Sequence, residues 1–161
     1  MNQKKRTKPS KKDHTAAVHT GKPKTYPLNS EGSKYAGAVI KYGECVILAK
    51  RIDFCPYSKK EPPYAGHWSV FCGEIEQNET PIQAATRELF EETGIKISEE
   101  FFKKIGRIKD LELFITEVKE RPKVELNYEH TECGFFKIEY LDSSPNPMDE
   151  KVIKMIQETQ T

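Results

Sequence analysis

The chain of 161 residues lacks the long apolar run of a membrane helix. No stretch approaches the roughly 18 consecutive apolar residues that spanning requires. No apolar segment follows the Lys-rich N-terminus either, so neither a spanning segment nor a secretory signal is expected. Hydrophobic residues are scarce at 36%, whereas charged residues make up 32%. This balance predicts that part of the chain lies outside any folded core.

Paired cysteines are also missing. The chain has no Cys-x-x-Cys pair, and its four cysteines are scattered: Cys45, Cys55, Cys72 and Cys133. This spacing argues against a zinc ribbon and against a disulfide scaffold. It favours a reducing environment, and we therefore expect a cytoplasmic location.

The near-zero net charge conceals two parts of opposite sign. Residues 1–34 carry nine Lys/Arg and two Asp/Glu, a net of +7, whereas residues 35–161 carry a net of −6. The first part has few apolar residues and no period, which predicts a disordered tail attached to one domain over 35–161. Such a tail suits a contact with RNA through its phosphates. A solubilising extension is the favoured interpretation, because charge runs are common and no aromatic residues alternate with these lysines for base stacking.

Strand-like and helical segments alternate along the acidic part. Residues 36–51 favour a hairpin around Gly43, and Asn146 and Pro147 favour the start of a final amphipathic helix. Further β-rich runs lie at residues 67–75, 106–118 and 133–141. Strands mixed with two helices predict an α/β or α+β domain with a mixed sheet.

The first helix is predicted over residues 81–93. Thr80 suits the N-cap, Pro81 the first helical position, and Gln83 completes a capping box. Gly94 is the expected left-handed stop. The predicted buried stripe consists of Ile82, Ala85 and Leu89.

Three carboxylates share one face of this helix. Glu88, Glu91 and Glu92 stand at i, i+3 and i+4, where they repel one another. They also lie toward the helix C-terminus, where the helix dipole disfavours anions. A divalent cation would relieve the conflict, and an all-carboxylate set suits Mg²⁺ or Mn²⁺ rather than zinc. The alternative is a solvated acidic face without a ligand.

The stretch from residue 73 to residue 95 resembles the signature of the Nudix hydrolases, G-x5-E-x7-R-E-U-x-E-E-x-G-U, where U is bulky and apolar. All nine positions are filled: Gly73, Glu79, Arg87, Glu88, Leu89, Glu91, Glu92, Gly94 and Ile95. The resemblance implies an α/β/α sandwich. One departure precedes the signature, because Cys72 stands where many members have glycine. Its backbone carbonyl is still expected to ligate metal.

The resemblance implies a metal-dependent hydrolysis that cuts a phosphoanhydride bond in a nucleoside diphosphate linked to another moiety. Glu88 and Glu92 are then the main ligands of Mg²⁺ or Mn²⁺, and Glu91 is a further ligand or the general base. Arg87 and Glu79 are an ion pair that orients the loop on the helix or braces the fold. Gly73 and Gly94 shape the turns at the two ends of the signature.

Other site residues are expected outside the signature. Family members usually have one more carboxylate just before a core strand, and Glu129 is preferred over Glu132 for that catalytic and metal-binding position. Arg51 and Trp68 are candidates for binding the substrate, through a phosphate and a stacked base respectively.

The sequence leaves two other functions open. The first is removal of pyrophosphate or a cap from the 5′ end of RNA, with residues 1–34 holding the strand. The second is a Nudix-fold binding module without catalysis, which the intact set of carboxylates disfavours.

Overall fold

The computed structural model describes residues 32–62, 65–143 and 148–160. Its elements are β1 (Tyr35–Tyr42), β2 (Cys45–Arg51), β3 (Trp68–Ser69), β4 (Phe71–Glu74), α1 (Pro81–Thr93), β5 (Lys103–Ile108), β6 (Leu111–Val118), β7 (His130–Lys137) and α2 (Glu150–Glu158). Short 3₁₀ turns occupy Glu99–Phe101 and Ile138–Ser143.

Strand β1 lies at the centre of a mixed sheet. It pairs in parallel with β6 over its whole length and antiparallel with β4 over residues 35–38. Near the Gly43 turn it pairs antiparallel with β2, which confirms the predicted hairpin. Beyond the turn β2 diverges from β1 and pairs with β3 at Ala49 and Lys50, while β7 pairs with β2 along its whole length. The divergence leaves the start of β1 free to bind β4, the strand that leads into α1.

The two faces of the sheet are covered by different helices. Alternate side chains of β1 point to opposite faces, so Ala38 packs in the cluster that contains Leu89 of α1. Its neighbour Val39 packs in the cluster that contains Val152 of α2. The result is the α/β/α sandwich that the family resemblance implied, and this prediction is confirmed.

Helix α1 agrees with the sequence prediction at both ends. Thr80 Oγ1 accepts from the Gln83 N–H at 3.2 Å, and Gln83 Oε1 accepts from the Thr80 N–H at 2.9 Å. Gly94 follows the helix with a left-handed φ of +75°, and its N–H donates to the Phe90 carbonyl. The capping box and the glycine stop are therefore confirmed.

The buried face of α1 differs from the predicted stripe. Ala84 is fully buried, whereas Ile82 is only partly buried. Glu88 and Glu92 lie on the same buried face, with 7% and 0% of their surfaces exposed. A solvated acidic face is therefore wrong for these two carboxylates.

Two boundaries toward the C-terminus were predicted wrongly. Strand β7 begins at His130 and ends at Lys137, and the residues after it form the 3₁₀ turn. Helix α2 begins at Glu150, and Asp149 caps it by accepting from the Lys151 N–H at 2.8 Å. The predicted cap Asn146 and the following Pro147 lie outside the described residues.

Most of the predicted N-terminal tail lies outside the described residues as well. Ser33 is fully buried, and the Lys34 N–H donates to the Asp110 carbonyl at 2.8 Å. The packed domain therefore begins slightly earlier than the charge boundary predicts. Of the helices in the described ranges, none has the length and apolar character needed to cross a membrane.

The capping box gives a stability prediction. Replacing Thr80 by Ala removes the acceptor for the Gln83 N–H and should lower the free energy of unfolding by about 1 kcal/mol. Thr80→Ser keeps the hydroxyl and should lose much less. Urea denaturation of both variants measures the difference, and equal losses would contradict the assigned role of the hydroxyl.

Candidate metal and active site

The C-terminal half of α1 carries two buried carboxylates into one site. Glu88 and Glu92 are one turn apart, so their side chains lie on the same stripe of the helix. Strand β4 makes room for the first of them, because a Cβ atom at Gly73 would overlap the Glu88 carboxylate. Glycine at this position is thus explained by the close approach of α1 to β4.

The segment before β7 brings in a third carboxylate. The Asn127 N–H donates to the Glu92 carbonyl at 3.2 Å, and the Glu125 N–H donates to the Thr93 carbonyl at 2.8 Å. These carbonyls belong to the last turn of α1, where they have no partner within the helix. Docking here places Glu129 beside the helix, and one oxygen each of Glu88, Glu92 and Glu129 lies within 4.8 Å of the others.

The three carboxylates are in electrostatic conflict. Burial raises the pKa of Glu92 well above its usual value, and the charges of Glu88 and Glu129 raise it further. Burial also raises the pKa of Glu88 to about 7, although Arg87 opposes the shift. Neither Glu92 carboxylate oxygen has a hydrogen-bond partner among the described residues. A proton or a cation is needed to compensate such a group.

The donor set fits a hard divalent cation. All the side-chain ligands are carboxylate oxygens, the type that Mg²⁺ and Mn²⁺ prefer. A cation with oxygen ligands at about 2.0–2.1 Å holds neighbouring oxygens roughly 3 Å apart, and the cluster already lies within 4.8 Å. The residues that could hold such a cation are Glu88, Glu92 and Glu129.

Arg87 fixes the surroundings of this cluster with all five of its N–H donors. Nε and Nη2 bind the two oxygens of Glu79 at 2.6 and 2.8 Å, and Nη2 also donates to the Glu74 carbonyl at 2.9 Å. Nη1 donates to Glu88 Oε1 at 2.7 Å and to Glu91 Oε2 at 3.2 Å. Arg87 and Glu79 therefore tie the loop before α1 to the helix and orient Glu88 from the side.

Glu91 shares Arg87 with Glu88 but lies outside the compact carboxylate cluster found among the described residues. Glu132 is exposed in β7, where it pairs in register with Lys50. The structure thus brings together Glu88, Glu92 and Glu129, and it leaves Glu91 and Glu132 outside that group.

A cavity of about 440 Å³ lies on the face of β4 opposite α1, where its lining includes Val152 of α2. Its lining includes four residues singled out from the sequence: Arg51, Trp68, Cys72 and Gly73. A register shift in the β2–β7 pairing falls between Lys50 and Arg51, and such irregularities re-aim side chains. Arg51 Nε is buried and has no hydrogen-bond partner within the described part of the chain. It is a donor available to a ligand.

Trp68 and Cys72, which also line the cavity, contribute a fixed aromatic ring and a neutral thiol respectively. The Trp68 ring stands edge-on to Phe136, with 4.8 Å between centroids, so the core holds its orientation. Burial raises the pKa of the Cys72 thiol to about 11, against the opposing charge of Arg51. A thiol with this pKa is neutral near pH 7, which argues against Cys72 as a nucleophile. Its backbone carbonyl remains the predicted ligand.

Two residues next to Glu129 were missed by the sequence reasoning. Asn127 contacts both α1 and Glu129. His130 is fully buried against Phe71, with 5.7 Å between ring centroids, and burial lowers its pKa to about 3. The spacing Asn-x-Glu, typical of a side-chain turn, was the available signal for Asn127.

The family assignment follows from a match over most of the chain. The NUDIX domain family matches residues 34–158. The chain therefore belongs to the Nudix hydrolase family.

Solved structures share the fold. A MutT protein from Methanosarcina mazei is 18% identical, covers 78% of this chain and 91% of its own, and superposes with a TM-score of 0.61. An Ap4A hydrolase from C. elegans is 20% identical, with 79% and 96% covered and a TM-score of 0.59. At these identities the likeness is one of fold.

One curated protein shows a short local match. An octanoyltransferase from Myxococcus xanthus is 46% identical over 39 residues. These residues are 24% of this chain, and the chain spans only 11% of that protein. The match is too short to transfer an activity.

The raised carboxyl pKa values predict how stability depends on pH without metal. A folded-state pKa above the unfolded value stabilises the fold at low pH, and this stability is lost as the pH rises through the folded pKa. In EDTA the free energy of unfolding should therefore fall between pH 5 and pH 8. Glu92→Gln should flatten this fall, because it removes one of the two buried carboxyl groups whose raised pKa values cause the fall.

Urea denaturation across this pH range measures the slope. Exposed Glu100 provides the matched control, and Glu100→Gln should keep the slope of the unmodified protein. Equal slopes in Glu92→Gln and in the unmodified protein would contradict the electrostatic account.

Proposed function

We propose that the protein hydrolyses a phosphoanhydride bond in a nucleoside diphosphate linked to another moiety, with Mg²⁺ or Mn²⁺ as cofactor. The observation that carries this proposal is the fully buried Glu92, whose carboxylate oxygens lack hydrogen-bond partners among the described residues and face two further carboxylates. Natural folds retain such a conflict mainly where a site requires it.

Glu88, Glu92 and Glu129 would hold the cation, together with the Cys72 carbonyl. When bound, the cation would neutralise phosphate oxygens and acidify a water molecule. Arg87 and Glu79 keep the ligand-bearing face of α1 against β4. Glu91 retains two proposed roles, a further ligand or the general base, while Arg87 holds its carboxylate.

The cavity is the proposed substrate pocket. Its volume of about 440 Å³ lies within the range of small-molecule sites, about 300–1,000 Å³. Arg51 would donate to a phosphate, and the fixed Trp68 ring would stack on a base. The named activity of the Ap4A hydrolase with the same fold supports a small nucleotide as substrate. The four cysteines, all among the described residues, form no disulfide, which supports the proposed cytoplasmic location.

The charge of residues 1–34 supports RNA as a second substrate class. A net charge of +7 could neutralise several phosphates of a strand. A substrate panel should therefore compare nucleotide sugars, dinucleoside polyphosphates, oxidised nucleoside triphosphates and 5′-triphosphorylated RNA, each with Mg²⁺ and with Mn²⁺.

Metal should stabilise the folded protein by mass action. At a hundredfold excess over its dissociation constant, Mg²⁺ or Mn²⁺ should add about 2.7 kcal/mol to the free energy of unfolding. The protein is first freed of divalent metal with EDTA. Its melting temperature is then measured at increasing concentrations of Mg²⁺ or Mn²⁺. A melting temperature insensitive to millimolar Mg²⁺ and Mn²⁺, with and without nucleotide, would count heavily against the site.

Turnover should depend on the charge of Glu92. Glu92→Gln keeps size and helix propensity but removes the negative charge, so turnover of the best panel substrate should fall roughly 10²–10⁴-fold. The fold should persist, with an unchanged or higher melting temperature in EDTA. The exposed control Glu100→Gln should retain full turnover. Activity of Glu92→Gln within a few-fold of the unmodified enzyme would reject Glu92 as a ligand.

Glu91→Gln separates the two roles left to Glu91. A general base predicts lost turnover with unchanged Mn²⁺ affinity, whereas a ligand predicts that both fall.

A further inference from the structure

Asn127, outside the signature, connects the α1 side of the carboxylate cluster with the Glu129 side. The Asn127 backbone N–H donates to the Glu92 carbonyl at 3.2 Å, and Asn127 Oδ1 accepts from the Glu129 N–H at 3.0 Å. A single residue thus bonds to the backbones of two cluster members that are 37 positions apart in the sequence.

Glu129 needs such a support more than the other two carboxylates do. Glu88 and Glu92 are fixed by α1, whereas Glu129 precedes the first residue of β7 and belongs to no regular element. Its carbonyl accepts from the Ile52 N–H at 2.9 Å, which restrains the strand side of the residue. On the other side of the residue, its N–H is held by Asn127 Oδ1.

The neighbouring residue restrains the Glu129 side chain. Tyr128 is 7% exposed, and its ring stands edge-on to Tyr57 with 4.9 Å between centroids. Its hydroxyl lies 3.4 Å from Glu129 Oε1, a long hydrogen bond. The backbone contact through Asn127, at 3.0 Å, is shorter than this side-chain contact.

We propose that Asn127 is a positioning residue that sets Glu129 against Glu92 and thereby determines the cation affinity of the cluster. The inference rests on the proposed metal site. Its side chain closes an Asx-type turn over Glu129 while its backbone anchors that turn to the end of α1. Partners that orient metal ligands typically contribute about 10–100-fold to metal affinity, and the same scale is expected here.

The test measures Mn²⁺ affinity directly, through the electron paramagnetic resonance signal of free Mn²⁺. Asn127→Ala should raise the dissociation constant about tenfold or more. Asn127→Asp keeps an acceptor oxygen at the same position and should remain within about threefold of the unmodified protein, because its added charge does not repel a cation. Asn127→Ser, with a shorter acceptor, should fall between them, and it serves if the alanine variant does not fold.

Thr80→Ala is the matched control for a loss of stability alone. It removes a side-chain acceptor at the opposite end of α1 and should leave the Mn²⁺ affinity unchanged. A dissociation constant that is unchanged in Asn127→Ala, or raised equally in Thr80→Ala, would overturn the positioning role. An aspartate variant as weak as the alanine variant would overturn the role of the acceptor oxygen. Failure of the unmodified protein to bind Mn²⁺ is a separate result, which would overturn the metal site and this inference together.

Discussion

The burial of Glu92 at the end of α1 is the constraint on which the site depends. A carboxylate without hydrogen-bond partners, next to two other carboxylates, costs free energy in the metal-free protein. The helix dipole adds to this cost, because the residue lies at the C-terminal end of α1. The surrounding sandwich must therefore hold in place a group that would be more stable in water.

Several parts of the fold keep the carboxylates of the cluster in place, each from a different direction. Gly73 lets α1 approach β4 closely enough for the Glu88 carboxylate to fit. Arg87 uses all its donors to tie α1, the preceding loop and β4 together. From the opposite end, backbone hydrogen bonds to the last carbonyls of α1 bring in Glu129. The carboxylates are held from both sides, and little freedom remains for them to separate.

Strand β4 connects this cluster with the cavity. Successive residues of a strand point to opposite faces, so the Cβ position of Gly73 faces Glu88 on the α1 side, while Cys72 lines the cavity, which Gly73 also borders. A substrate in the cavity would thus lie across one strand from the cation ligands. In the proposed function, the pocket would supply the substrate contacts of Arg51 and Trp68, and the cluster would supply the cation ligands.

Local signals in the sequence were sufficient for α1, whose capping box and glycine stop depend on residues within a few positions of each end. They could not rank the three carboxylates of the helix, because burial separates Glu88 and Glu92 from Glu91 and burial is set by β4 and the 125–129 segment. The start of β7 was missed because its first residues include exposed Thr131 and Glu132. Asn127 was missed because its role depends on a helix that lies 34 positions earlier in the chain.

The most direct measurement of the central claim is a crystal structure with Mn²⁺, using anomalous scattering to locate the ion. The account predicts an anomalous peak bonded to Glu92 and shared with Glu88 and Glu129, with Arg87 still bound to Glu79. An ion bound elsewhere, with no ion at the Glu92 carboxylate at a saturating Mn²⁺ concentration, would contradict it.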